Sequence, residues 1–282
     1  MHIELKAGHP SGASERGINS VCIIDPYRGS NRHVDGYDSR TTQCTRGQAV
    51  DASPENNLTG GDMSRLYGAR QRALQDQFDT RRIADKIEAL VIQPQLGDMD
   101  MAFINSRDMF WLSTIDEQGR PTVSYKGGDP GFVRVLDNKT LVFPLYDGNG
   151  MFYSAGNIAG ISKIGMLFMD LERPNRLRVQ GEATVSERDP LMPEFKEALM
   201  LVRVNVTEVW PNCPRYVHRH QRVQSSRYVP RVECDTPLAG WKRIDLLQDD
   251  LPAHDRGRAQ KEGGVISIEN WMGKVATGDP EA

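Results

Sequence analysis

Met109-Phe-Trp-Leu-Ser-Thr-Ile115, Asp116-Glu-Gln-Gly119, Arg120-Pro-Thr-Val-Ser-Tyr-Lys126 reads as two strands joined by a tight turn. The first piece is rich in aromatic and β-branched residues, which suit a pleated, half-buried surface. Asp116 and Gly119 supply turn chemistry between the two runs. In the second piece the period of two puts Thr122, Ser124 and Lys126 on one face. Downstream, a Gly-rich loop at 127–131 leads to a strand at 132–136, the turn 137–139 and a strand at 141–144. A short helix is expected around 151–158, followed by the apolar run Lys163–Met169 as a buried strand. Residues 176–185 and 201–210 alternate cleanly, with a short helix near 190–199 between them. Six or seven short strands punctuated by turns predict a mainly β, α+β protein, a six-stranded antiparallel split β-barrel with a few peripheral helices.

Upstream of this block, Leu66, Leu74, Phe78, Ile83, Ile87, Leu90 and Val91 fall roughly on one face, so a helix capped by Ser64 and ended by Pro94 and Gly97 is expected. A short helix is expected at 98–105. Past Trp210 the chain is Pro- and Arg-rich. Trp241–Leu247 reads as a docked helix, 256–264 as flexible, and 265–271 as a small amphipathic end piece.

Residues 1–62 form a different text, with only Tyr27 and Tyr37 as aromatics and one apolar piece, Val21–Ile24. Such a segment cannot bury enough surface to offset its ordering entropy, and a disordered leader is expected. The change of text at Met63 suggests a translation start there, with an ordinary disordered tail as the alternative. The domain reading is therefore a leader at 1–62, a barrel with its N-terminal helix at 63–220 and a C-terminal extension at 221–282.

The whole chain has 35 basic and 38 acidic residues, a net charge of −3. That balance excludes a general nucleic-acid binder, which would carry a basic excess. No run approaches the roughly 18 apolar residues of a membrane span, and the first residues lack a signal-peptide core. Cys22, Cys44, Cys213 and Cys234 are widely separated, without a C-x-x-C pair. A cytoplasmic, reduced protein is expected. Hydrolase elbows, zinc-protease helices and phosphate-binding P-loops are absent. His218-Arg-His220 lacks partners at ligand spacing, so no metal site is expected.

The pattern at 110–124, a strand followed by D-x-x-G and x-Pro-x-Val-Ser, resembles the opening hairpin of the pyridoxamine 5′-phosphate oxidase-like FMN-binding split-barrel family. Gly156-Asn-Ile-Ala-Gly-Ile-Ser-Lys-Ile-Gly-Met-Leu-Phe168 is similar to the family's helix-to-strand passage. Arg173–Ala183 is similar to its next hairpin, whose second strand carries a Gly near its middle. Trp210–Val217 is similar to the closing segment of one bacterial subgroup. The resemblance spans roughly residues 64–255. It implies a homodimer with FMN in a cleft at the dimer interface and, as its activity, hydride or electron transfer to or from a small molecule, with NAD(P)H a candidate donor.

A flavin needs a slot for its ring and cations or N–H groups for its phosphate. Ser124 is a candidate donor to a ring or ribityl oxygen, and Lys126 a candidate phosphate ligand; the competing reading is an ordinary polar outer face. Asn149, Ser154 and Asn157 are candidates at the start of the 151–158 helix, where free N–H groups point at anions. Tyr153 and Trp210 are candidates to pack on the ring, with core packing the competing reading for Trp210. Many relatives carry Lys or Arg three residues before the Asn, where this chain has Ser154. The phosphate charge then falls to Lys126, Lys163, Arg178 or Arg215. Arg215-Tyr-Val-His218 matches the family's Arg-x-His substrate signature only loosely, so pyridoxamine phosphate is not the expected substrate. No general base stands out, and the alternative is a non-catalytic protein that stores or senses a flavin, a deazaflavin or haem.

Overall fold

The computed structural model describes residues 64–282. The leader at 1–62, its apolar piece and the start at Met63 lie outside the described residues. Two helices come first, α1 (Ala69–Gln77) and α2 (Arg81–Val91), then α3 (Asp98–Asn105). The hairpin β1 (Met109–Ile115) and β2 (Pro121–Gly127) follows, with β3 (Arg134–Val135) and β4 (Thr140–Tyr146) after it. Helix α4 (Tyr153–Gly160) leads into β5 (Lys163–Asp170), β6 (Asn175–Ser186) and β7 (Ala198–Asn212). Two 3₁₀ turns at Gly240–Arg243 and Asp245–Asp250 precede α5 (Arg258–Lys261) and α6 (Ile268–Thr277).

All seven strands form one antiparallel sheet in the order β2-β1-β5-β6-β7-β4-β3. The strand expected at 132–136 is the two-residue β3, which makes the seventh beside a six-stranded barrel. The sheet wraps on itself. Phe110 of β1 and Phe143 of β4 are separated by three intervening strands, yet their rings meet edge to face at 5.0 Å. Inward residues of β1, β4, β5, β6 and β7 accordingly share a single core cluster. β2 and β3 do not pair, and that gap is the split in the barrel. The register of β6 against β7 shifts at Gln180/Gly181. A Cβ on Gly181 would stand 2.6 Å from the Asn205 carbonyl oxygen, so this crossing requires glycine.

The single helix expected from Ser64 to Val91 is two helices. Asp79 adopts a left-handed conformation with φ of 51°, which Asp tolerates better than most residues, and it breaks the run. Arg81 Nε bonds Asp76 Oδ1 at 2.5 Å across the break. The apolar stripe is also not packed, because Phe78, Ile83, Ile87 and Leu90 all face solvent in the single chain. The helix expected near 190–199 is a 3₁₀ turn, Met192–Glu194, and the docked helix expected at 241–247 is the pair of 3₁₀ turns. Residues 256–264 carry more structure than their Gly-, Lys- and Arg-rich sequence suggests. Ala259 is fully buried there, and Arg258 bonds Glu262 at 2.8 Å. No described helix is long and apolar enough to cross a membrane.

Candidate functional site

The polarity of edge strand β2 is inverted. Val123 and Tyr125 on its outer side are 66% and 61% exposed. Thr122, Ser124 and Lys126 point the other way, opposite the inward residues Thr114, Leu112 and Phe110 of β1. An isolated barrel would put the apolar side in and the polar side out. The half-buried polar side instead lines a cleft of about 330 Å³ closed by the loop 147–152 and the start of α4.

Five of the seven sequence-predicted residues line this cleft: Ser124, Lys126, Asn149, Tyr153 and Ser154. Ser124 Oγ and Ser154 Oγ are 3.2 Å apart, and Lys126 Nζ reaches Ser154 Oγ at 3.5 Å. No carboxylate pairs with Lys126 among the described residues, and burial pushes its pKa down. Lys126, on the facing strand, thus brings an ammonium group to Ser154 in the first turn of α4. Phe152, just before α4, is left-handed at φ 48° and ψ 26°, and no side chain caps the helix. A helix start whose N–H groups lack a cap, beside an unpaired lysine, favours an anion. Asn149 shapes the loop, its Oδ1 accepting from Met151 N at 3.1 Å.

Asn157 lies behind the cleft. Its Nδ2 donates to Thr114 Oγ1 at 3.0 Å, which ties α4 to β1 through a buried bond. Arg215 sits on the exposed segment after β7 with its guanidinium over the Tyr216 ring, away from the cleft lining. Lys163 is paired to Glu182 at 2.9 Å, while Arg178 and Trp210 face an apolar slot on the outer side of the sheet with Trp111, Val123 and Leu167. Of the cations considered for a phosphate, Lys126 is the one placed in the cleft.

Asp116 is the residue that the sequence reading passed over as a mere turn former. It is almost inaccessible to solvent and accepts from Arg120 N at 2.9 Å, Gln118 N at 3.0 Å, Arg120 Nε at 2.7 Å and the Tyr153 hydroxyl at 3.2 Å. Burial opposes its charge, but the bonds from Arg120 and Gln118 outweigh it and hold its carboxyl below the usual range. It therefore fixes the hairpin and the first residue of α4 together. Its signal in the sequence is the first position of the Asp-x-x-Gly turn.

A second cleft, of about 580 Å³, adjoins the first through Tyr146, which lines both. Arg107, Asp108, Tyr125, His220 and Arg222 are among its walls. Its charges are internally paired, Arg107 with Asp170 at 2.9 Å and Arg222 with Asp108.

The family model described as pyridoxamine 5′-phosphate oxidase matches residues 98–213. A search of curated proteins finds no match. Among solved structures, an FMN-binding protein from Syntrophomonas wolfei is 11% identical with a TM-score of 0.34, covering 50% of this chain and 97% of that one. HupZ from Group A Streptococcus is 17% identical with a TM-score of 0.35, covering 45% and 99%. HutZ from Vibrio cholerae, described as a haem storage protein, is 19% identical with a TM-score of 0.31, covering 39% and 89%.

Proposed function

We propose, taking as premise the pyridoxamine 5′-phosphate oxidase-family split barrel that residues 98–213 form, that this protein is a homodimeric FMN-dependent oxidoreductase acting on a small molecule. The observation that carries the reading is Lys126, a half-buried lysine without a counter-ion among the described residues, which meets Ser124 and Ser154 at the uncapped start of α4. That donor set suits a phosphate monoester dianion. Tyr153 and Thr122, which line the same cleft, would hold the ribityl chain and ring. The bound flavin supplies the redox chemistry; the protein's part is to hold and orient it and to limit solvent access.

The inverted polarity of β2 supports the dimer. Val123, Tyr125 and the slot beside Trp111 form an exposed apolar surface whose burial by a second copy removes the mismatch. Val123→Lys is expected to shift the protein from dimer to monomer in sedimentation velocity, and to weaken FMN binding by roughly tenfold if the second copy completes the cleft. A variant that stays dimeric at micromolar concentration removes this face from the interface.

A non-catalytic flavin carrier is the second reading, and it rests on the lining. Thr122, Ser124, Lys126, Tyr146, Asn149, Tyr153 and Ser154 include no carboxylate and no histidine to act as general acid or base. The absorbance spectrum of the isolated protein, followed by FMN titration, tests the shared premise. A flavin spectrum and quenching on titration are expected, and a colourless protein that leaves FMN fluorescence unchanged sinks it. Anaerobic mixing with NAD(P)H then separates the two, with flavin bleaching for the oxidoreductase and none for the carrier. A Soret band or a deazaflavin spectrum in the isolated protein would replace FMN by those ligands.

A further inference from the structure

Asp147 opens the loop that closes the anion cleft, and its carboxylate does not face the cleft cation. Its Oδ2 instead accepts from Lys242 Nζ, a residue 95 positions later in the chain. Lys242 is 4% exposed, and the same Nζ donates at 2.6 Å to Asp255, which is fully buried. Asp255 Oδ1 in turn accepts from Arg258 at 3.2 Å. Burial opposes the charge on Lys242, but its bonds to Asp147 and Asp255 outweigh that and hold its pKa above the ordinary lysine value.

Asp147, His254 and Asp255 are also the one group of metal-ligating side chains among the described residues, and Lys242 already pairs with both of its carboxylates. The segment that carries Lys242 is braced on its own terms. Leu238 N donates to Glu262 at 2.7 Å, Ile244 pairs with Ile266, and Leu238, Ile244, Leu251 and Ala259 are buried. The backbone at Gly240 lies so close to the chain end that a Cβ there would stand 2.3 Å from the Glu281 carbonyl oxygen. Lys242 is therefore mounted on a stiff support, while the bonds within the loop on the other side of Asp147 are the local ones between Asn149 and Met151.

We infer that Lys242 is a positioning residue for the cleft: by joining Asp147 to the buried Asp255 it sets the loop 147–152, and so makes the C-terminal segment 238–262 part of the ligand site. The inference rests on the reading of that cleft as the FMN site. Breaking a buried pair leaves an uncompensated charge inside, so Lys242→Met risks misfolding. Asp147→Asn is the cleaner variant, because it leaves Lys242 with Asp255 and removes a carboxylate that is 44% exposed.

The two roles of Asp147 predict opposite signs. If only its charge mattered, removing a negative group near an anion site would tighten FMN binding. If it holds the loop, FMN binds about tenfold more weakly, mostly through faster release. The experiment is FMN titration and release kinetics on the full chain, wild type against Asp147→Asn, with hydrogen exchange of residues 148–152 followed in both ligand-free proteins. Weaker binding together with faster exchange in the loop is the expected result. Equal or tighter binding overturns the inference. If the wild type itself does not bind FMN, the functional reading fails separately, and unchanged exchange in the loop then overturns the positioning role as well.

Discussion

On the proposed FMN reading, Lys126→Met is expected to lower FMN affinity by roughly 100-fold, about 2.7 kcal/mol, while making the ligand-free protein more stable. Both signs come from the same fact. Lys126 is half-buried with no carboxylate partner among the described residues, and burial holds its pKa down, so the empty cleft is a poor home for an ammonium group. The folded state then binds that proton less tightly than the unfolded chain does. The cost is fully present below the lowered pKa, and it is relieved as pH rises from there toward the ordinary lysine value. A bound phosphate reverses this by supplying the missing counter-charge. Methionine keeps most of the volume without the charge, so the ligand-free Tm rises by roughly 2–4 °C, the shift expected for about 1 kcal/mol in a domain of this size. Riboflavin, which lacks the phosphate, separates the roles, because its affinity changes by less than about threefold if Lys126 touches only the phosphate. Equal losses for FMN and riboflavin would remove Lys126 from the phosphate.

The β1–β2 hairpin was legible because the alternation, the Asp-x-x-Gly turn and the three polar residues of β2 are all local signals. The strand faces followed from the period of two, and Ser124 and Lys126 do share the cleft face. Ser154, a departure from the common pattern, was also legible, and Lys126 stood among four candidate cations; that Lys126 is the one beside Ser154 depends on how α4 lies against β2. Asn157 shows the limit of reading by motif. A buried Asn one turn into a helix can serve a ligand, bond a neighbouring strand or do both, and the bond from its Nδ2 to Thr114 leaves no mark in the motif.

The break between α1 and α2 escaped the periodicity because Leu74, Phe78 and Ile83 continue an apolar rhythm through a left-handed Asp79. The long-range pair of Lys242 with Asp147 left no local trace. Its parts are an ordinary lysine and an ordinary loop aspartate until the chain brings them together. What sequence reading missed is thus of two kinds, backbone breaks inside an apolar rhythm and contacts between residues far apart in the chain, while the regular strands declared themselves.

The same hairpin sets the largest stability effect. Phe110 is fully buried, with ring centroids 5.0 Å from Phe143, 5.2 Å from Phe168 and 5.9 Å from Phe132. These rings come from β1, β4, β5 and the loop before β3, so beyond its ladder partner Phe168 on β5, Phe110 joins β1 to β4 and to the loop before β3, which no ladder connects to it directly. Phe110→Ala is expected to cost about 3–5 kcal/mol, from lost burial and from a cavity that four rigid elements cannot collapse. Against a typical total of about 5–15 kcal/mol, that brings the barrel close to unfolding at 37 °C. Urea titration should show a lower midpoint with an unchanged slope. Phe110 also stands opposite Lys126 in the register of the hairpin, so the cleft is lost with the core. Saturating FMN at a hundred times its Kd then restores about 2.7 kcal/mol by mass action alone, if the variant still binds it. A midpoint within experimental error of wild type would mean that the two ends of the sheet do not close on Phe110, and the wrapped barrel would have to be abandoned for an open sheet.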